Sequence, residues 1–217
     1  MGSREITHMS YFPIFLEMQR RRCLVIGGGA VAERKVASLL EAGAEVAVIS
    51  PEASDNILRW SKEKSVEYIA RRYQPGDLTE FEIAFVATDD RAVSAQVFKE
   101  GRSLGVWVNA ADDPARCDFI LPSVLRRGDL TVAVSSGGRS PALARTIREE
   151  LELYFTEEYA LLAKLAAEVR DELRARSIDA PFETWRRALN GEVRQLLMRG
   201  DVTRAKVLLL REFGVAA

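Results

Sequence analysis

Hydrophobic and polar positions along this chain follow two different rhythms. Short apolar runs recur at Leu24-Val-Ile26, Glu45-Val-Ala-Val-Ile-Ser50, Val66-Glu-Tyr-Ile-Ala70, Ile83-Ala-Phe-Val-Ala87 and Val106-Trp-Val-Asn109. Runs of this length, with little polar interruption, predict parallel strands buried on both faces. Between them, Val31 to Leu40, Ser54 to Lys64 and Ala92 to Leu104 place apolar residues at helical spacing. Gly43 ends the first helix, and Pro75-Gly76 marks a turn. Ahead of all this, Tyr11-Phe-Pro-Ile-Phe-Leu16 reads as a lead-in or edge strand, since its proline cannot donate to a central ladder. Strands separated by helices and short connections predict a doubly wound parallel sheet.

The pattern changes past Asn109. Asp118-Phe-Ile-Leu-Pro-Ser123 and Asp129-Leu-Thr-Val-Ala-Val-Ser-Ser136 read as extended segments joined by a polar turn at Arg126-Arg-Gly-Asp129. With no helix between them they are expected to be antiparallel, as an extension of the sheet or a dimerisation hairpin. Gly137-Gly-Arg-Ser-Pro141 then leads into a helix, with Ser140 as its cap and Pro141 in its first turn. From there the chain is helical to its end. Leu143, Ile147, Leu151 and Phe155 share a face, and Leu161, Leu162, Leu165 and Val169 continue the pattern in the next helix. A linker at Ser177–Pro181 precedes a helix from Phe182 to Met198, and after Gly200-Asp201 a last helix runs from Thr203 to Phe213.

Composition narrows the class. The chain has 217 residues, enough for one large domain and a smaller companion. Its 31 basic and 32 acidic side chains nearly cancel, so no global field favours nucleic acid or a membrane surface. No apolar run approaches a membrane span, and the N-terminus has no signal segment, so a cytoplasmic protein is expected. Cys23 and Cys117 are too few and too isolated for a disulfide framework or a metal cluster, so no metal site is expected. Residues 1–8 read as an expression-vector remnant ahead of Met9. That remnant contains His8, the chain's one histidine, so any chemistry here must manage without an imidazole.

The first strand and helix are joined by Gly27-Gly-Gly-Ala-Val-Ala32, and Gly27-x-Gly29-x-x-Ala32 fits the dinucleotide-binding fingerprint. Gly27 permits the tight turn, Gly29 lets backbone approach a pyrophosphate, and Ala32 keeps helix and strand close. The helix start, with Gly28, Ala30 and Val31, offers free N–H groups and a positive dipole end. The expected fold is therefore a Rossmann-type α/β domain over 9–116, with NAD as cofactor. At the second strand's end, where an acid commonly binds the ribose, stands Ser50-Pro51-Glu52. Glu52, or backbone around Pro51, suits a 2′-hydroxyl, and Glu52 would repel a 2′-phosphate, favouring NAD over NADP. Ala87 and Thr88 end the fourth strand on the same side, while Asp89 or Asp90 caps the next helix.

Several stretches together carry a resemblance. Leu24–Lys35, Ala87-Thr-Asp-Asp90, Val108-Asn-Ala-Ala-Asp112, Asp118–Ser123 and Val132-Ala-Val-Ser-Ser-Gly-Gly-Arg-Ser-Pro-Ala-Leu-Ala144 occur in that order. Over about Tyr11 to Leu151 the chain resembles the precorrin-2 dehydrogenase / sirohydrochlorin ferrochelatase family of siroheme synthesis. The Ser-Ser-Gly-Gly-x-Ser-Pro run is more specific than the glycine turn. The helical region, 151–217, contains no matching motif.

The resemblance implies NAD-dependent oxidation of precorrin-2 to sirohydrochlorin, and in some members Fe²⁺ insertion to give siroheme. It implies a base at Asp112, beside Asn109 as a cofactor or substrate contact. From the residues alone, Asp112 is equally a loop aspartate satisfying backbone N–H groups before Pro114. The resemblance also places Ser136 in the tetrapyrrole site, with Ser135, Gly137 and Arg139 about it. Arg139, Arg145 and Arg148, on or next to the following helix, could pair with the substrate's carboxylates. The plainer reading is a serine turn before a helix, with these arginines on a solvated face. A homodimer through Phe119 to Ala144, within a dimerisation and substrate region at 117–150, completes the expectation. A reading from another class is a non-catalytic NAD-binding redox sensor whose helical tail contacts a partner.

Overall fold

The computed structural model describes residues 11–111 and 113–215. The vector-remnant reading, His8 and Asp112 all fall outside the described residues. Contacts divide the chain into two compact units, Met1–Leu121 and Pro122–Ala217.

The first unit is an α/β domain. Its strands are β1 (Arg22–Ile26), β2 (Glu45–Ile49), β3 (Val66–Ile69), β4 (Ile83–Val86) and β5 (Trp107–Ala110), and its helices are α1 (Ala30–Glu41), α2 (Asp55–Lys62) and α3 (Arg91–Leu104). The five strands are all parallel, in the order β3-β2-β1-β4-β5. The strand order reverses at β1, so β1 and β4 flank the switch point beyond whose carboxyl ends ligands bind in such sheets. Alternate residues feed two cores. Cys23, Val25, Val46, Val48 and Phe85 face α1, which buries Ala32, Val36 and Leu39. Leu24, Ile26, Ala47, Val86 and Val108 face the other side, where α3 contributes Val97. This two-sided burial is why the strands read as continuous apolar runs rather than alternating ones.

Three local features differ from the expected pattern. Tyr11–Leu16 forms no strand, and Phe12, Ile14 and Phe15 are exposed. The crossover from β3 to β4 contains no helix. It is a loop closed by Arg71, which grips both Asp77 oxygens at 2.7 and 2.8 Å, and by Glu100 of α3, which accepts from the Tyr73 hydroxyl at 2.6 Å and the Gly76 N–H at 2.9 Å. Cys117 is extended and bridges to Asn109, and the residues after it bend along β5 instead of opening a hairpin. The Asp118 N–H donates to the Val108 carbonyl at 2.8 Å, and Val108 N–H donates to Asp118 Oδ2 at 2.9 Å. This covers the free edge of β5.

The second unit opens with an antiparallel pair, β6 (Ser123–Arg127) and β7 (Leu130–Val134), joined through Gly128-Asp129. The first hairpin strand therefore begins at Ser123, where the sequence reading has it end. Asp118 and its neighbours are already committed to β5, and Pro122 has no N–H to offer a ladder. Helix α4 (Pro141–Tyr154) packs on this pair. The remaining helices are α5 (Glu158–Ala175), α6 (Phe182–Ala188), α7 (Gly191–Met198) and α8 (Val202–Arg211). They enclose a core of Leu165, Val169, Leu173, Ala188, Val193, Leu197 and Leu209. The single helix expected from Phe182 to Met198 is two, because the Asn190 side chain accepts from the N–H groups of Glu192 and Val193 and starts α7 afresh. Among the described residues no helix is long and apolar enough to cross a membrane.

Candidate functional site

The turn between β1 and α1 is built by close approaches on two sides. Gly27 has φ +120°, and a Cβ there would fall 2.2 Å from the Ala87 carbonyl oxygen. Its N–H donates to the Ile49 carbonyl at 3.0 Å, while Ala87 N–H donates to the Ile26 carbonyl at 2.7 Å. The end of β4, Ala87 and Thr88, is thereby drawn against the glycine turn. Gly28 is constrained differently. A Cβ there would lie 1.9 Å from the Glu52 carbonyl oxygen, and the Gly28 carbonyl accepts from Ser54 N–H at 2.8 Å. So the middle glycine, which the fingerprint leaves free, is required by the loop after β2.

Gly29 is the opposite case. It is exposed, stands at the N-cap of α1 with no capping side chain, and a Cβ on it would meet nothing within 4 Å. Ala30 is exposed and Val31 half-buried at the start of the helix, whose hydrogen-bond ladder begins with Glu33 N–H to the Gly29 carbonyl at 3.0 Å. The first N–H groups of such a helix have no intrahelical acceptor and carry its positive dipole end. An uncovered helix start beside a glycine turn at the switch point fits a pyrophosphate.

At the end of β2, Ser50 is buried and its carbonyl accepts from the Tyr68 hydroxyl at 3.0 Å, so it serves the sheet. Pro51 and Glu52 are exposed beyond it. At the end of β4, Thr88 Oγ1 accepts from Asp90 N–H at 3.3 Å, and Asp90 caps α3 through Ala92 and Val93 N–H groups at 2.9 and 3.2 Å. Of the two aspartates considered for that cap, Asp90 is the one used.

Asn109 is buried, and its amide nitrogen donates to the Phe119 carbonyl at 2.9 Å, with Cys117 Sγ at 3.7 Å. That fastens Phe119, whose ring meets Phe85 edge-on at 5.6 Å. The loop after β5 is closed by the Cys117 thiol, 3.2 Å from the Ala110 carbonyl and 3.3 Å from that of Asp113, and by an Asp113–Arg116 ion pair. Burial pushes the Cys117 thiol up, away from reactivity.

Ser135, Ser136, Gly137 and Arg139 lie in the second unit, between β7 and α4. Ser135 Oγ accepts from Gly137 N–H at 3.1 Å, and Ser136 Oγ from Ser140 N–H at 2.8 Å. Ser140 caps α4 and Pro141 opens it. Arg139 is exposed, whereas Arg145 pairs with Glu149 at 2.8 Å and Arg148 pairs with Glu149 and Glu152. Among the described residues no group of His, Cys, Asp and Glu is arranged to hold a metal ion.

One part of the site has no sequence signal. The Glu33 carboxylate on α1 accepts from Asn56 Nδ2 at 2.8 Å, with the Ser54 hydroxyl as a second neighbouring donor. These two donors, Ser54 first, hold the Glu33 carboxyl below its usual range. The partners are more than twenty residues away, so no local spacing announces them.

Fold and turn together define a nicotinamide-dinucleotide-binding α/β protein. The family described as "Putative NAD(P)-binding" matches residues 14–123, more than half of the chain, and the chain belongs to it. A second family, described as the central part of sirohaem biosynthesis proteins, matches 127–152. The chain is 38% identical over 200 residues to a siroheme synthase of Nitrosococcus oceani, covering 91% of this chain and 43% of that protein. It is 39% identical over 211 residues to one from Nitrosospira multiformis, covering 94% and 44%. The chain thus spans less than half the length of these relatives. A solved structure titled SirC, precorrin-2 dehydrogenase, superposes with a TM-score of 0.74 over 94% of this chain and 99% of that one, at 24% identity, which shows a shared fold.

Proposed function

We propose that this chain oxidises precorrin-2 to sirohydrochlorin with NAD⁺, within siroheme biosynthesis. The observation that carries this is the uncovered α1 start at the switch point, in a chain aligned over nine-tenths of its length with siroheme synthases. Bound at that turn, NAD⁺ supplies the hydride acceptor.

The chain's own residues supply the rest. Gly29, Ala30 and Val31 hold the pyrophosphate with backbone N–H groups. Glu52 takes the adenosine ribose hydroxyls and repels a 2′-phosphate, which selects NAD over NADP. Loss of a hydride from the macrocycle leaves a proton to be removed, and Asp112 is the proposed base. That assignment rests on its place in the sequence, two residues past the end of β5 at Ala110. Ser135, Ser136, Gly137 and Arg139 are the proposed contacts to the substrate's carboxylates.

Insertion of Fe²⁺ into sirohydrochlorin is proposed as a second activity. The macrocycle nitrogens would be the metal's ligands, and Asp112 would accept pyrrole protons. The working form is proposed to be a cytoplasmic homodimer joined through Phe119 to Ala144. Exposed Val124 and Leu143, 38% and 53% accessible, support an interface there.

The test is a spectrophotometric assay of precorrin-2 with NAD⁺, then with Fe²⁺ added. Formation of sirohydrochlorin only when NAD⁺ is present is the expected result. A further change to siroheme faster than the uncatalysed blank would establish chelation, and no acceleration would remove it. NAD⁺ binding with precorrin-2 left untouched would overturn the dehydrogenase and leave the redox-sensor reading.

A further inference from the structure

We propose that Glu33 is a positioning residue for cofactor selectivity, holding the loop after β2 so that Glu52 stands at the adenosine ribose. This rests on the reading of Glu52 as the ribose acid. A carboxylate one turn into the phosphate-binding helix would ordinarily weaken that end for an anion. Here it is engaged. Asn56 Nδ2 donates to it at 2.8 Å, and the Ser54 hydroxyl is its second neighbouring donor. Arg59 Nη2 donates to Asn56 Oδ1 at 3.1 Å, which fixes the amide with its NH₂ toward Glu33. The same neighbours hold the Glu33 carboxyl below its usual range.

The backbone closes the same junction from the other side. Ser54 N–H donates to the Gly28 carbonyl at 2.8 Å, and the Glu52 carbonyl occupies the space a Gly28 Cβ would need. The phosphate turn and the segment Glu52–Asn56 are therefore joined at Gly28–Glu52, Gly28–Ser54 and Glu33–Ser54/Asn56. There is no slack for a methyl group between them. The distance from the helix start to Glu52 is set by these contacts, and that distance must match the span from pyrophosphate to ribose. Discrimination against a 2′-phosphate depends on the same placement, because like-charge repulsion falls with separation and with water between the charges.

The experiment is calorimetric titration of NAD⁺ and NADP⁺ into the full chain and its variants, with thermal unfolding to confirm that each folds. Glu33→Ala is expected to weaken NAD⁺ binding roughly three- to tenfold and to narrow the NAD⁺/NADP⁺ ratio, as for coupled neighbours. Glu33→Gln keeps an acceptor oxygen and should retain most of the selectivity. Asn56→Ala breaks the link from the other helix and should reproduce Glu33→Ala, should that variant fold poorly. In a Glu52→Ala background, Glu33→Ala should change the ratio no further. Strictly additive effects in the double variant would overturn the inference, as would an unchanged ratio in both Glu33→Ala and Asn56→Ala while Glu52→Ala narrows it. If Glu52→Ala itself leaves the ratio unchanged, the ribose reading fails and the positioning role falls with it.

Discussion

Three carboxylates in the first unit do different work because their surroundings differ. Glu52 is exposed beyond β2, free to meet a ligand. Glu33 is held by two donors and spends its charge on structure. Asp77 is gripped by both Arg71 nitrogens, which hold its carboxyl below the usual range. A carboxyl depressed in the folded state adds stability above its unfolded pKa, near 4, and loses it as pH falls through the folded value. Asp77→Asn should therefore lower the urea midpoint at pH 7, and its difference from wild type should shrink as the pH is taken below about 4. Asp112 is the residue on which the proposed chemistry turns. Asp112→Ala should cut turnover of precorrin-2 by about 10²–10⁴-fold while NAD⁺ still binds, as for loss of a general base. Unchanged turnover would remove Asp112 from that role.

At the scale of elements, the sheet was legible because each strand is buried on both faces and each helix on one, so period and composition agree. Boundaries moved where a side chain had a better use than the element it was read into. Asp118 reads as the start of a hairpin, yet its carboxylate and N–H both go to Val108 on the free edge of β5. Asn190 reads as a helical interior, yet its short amide satisfies the next helix start better than it would continue the last one. The packing of α3 on β5 can be tested at Gly101. A Cβ there would lie 2.5 Å from Val108 Cγ2 and 3.0 Å from the Val106 carbonyl oxygen. Gly101→Ala should destabilise by about 1–3 kcal/mol in spite of alanine's better helix propensity, because overpacking outweighs it. Chemical denaturation reads that difference directly, and an unchanged or raised midpoint would refute it.

For the molecule as a whole, the second unit leaves apolar side chains of its strand pair and first helix in water. Among the described residues β6 and β7 form a two-stranded sheet with α4 against it, and isolated chains rarely leave such edges bare. If the proposed homodimer covers this surface, wild type should sediment as a dimer. Val124→Asp should then shift it to monomer without loss of NAD⁺ affinity, since the cofactor turn lies in the other unit. A wild-type monomer at micromolar concentration would discard the dimer.

Local chemistry alone determined the strands and helices of the α/β unit, the glycine turn and the cap at Ser140, because each follows from residues within a few positions of one another. The same holds for the class of cofactor, since a strand, three glycines and a helix start are contiguous in the chain. Tertiary structure decided what each polar side chain does once folded. It spent Asn109 on Phe119, the Tyr68 hydroxyl on the Ser50 carbonyl, and joined Glu33 to Asn56. Such pairings need donor and acceptor within about 3 Å. For residues twenty positions apart, only the packing of the elements between them brings that about.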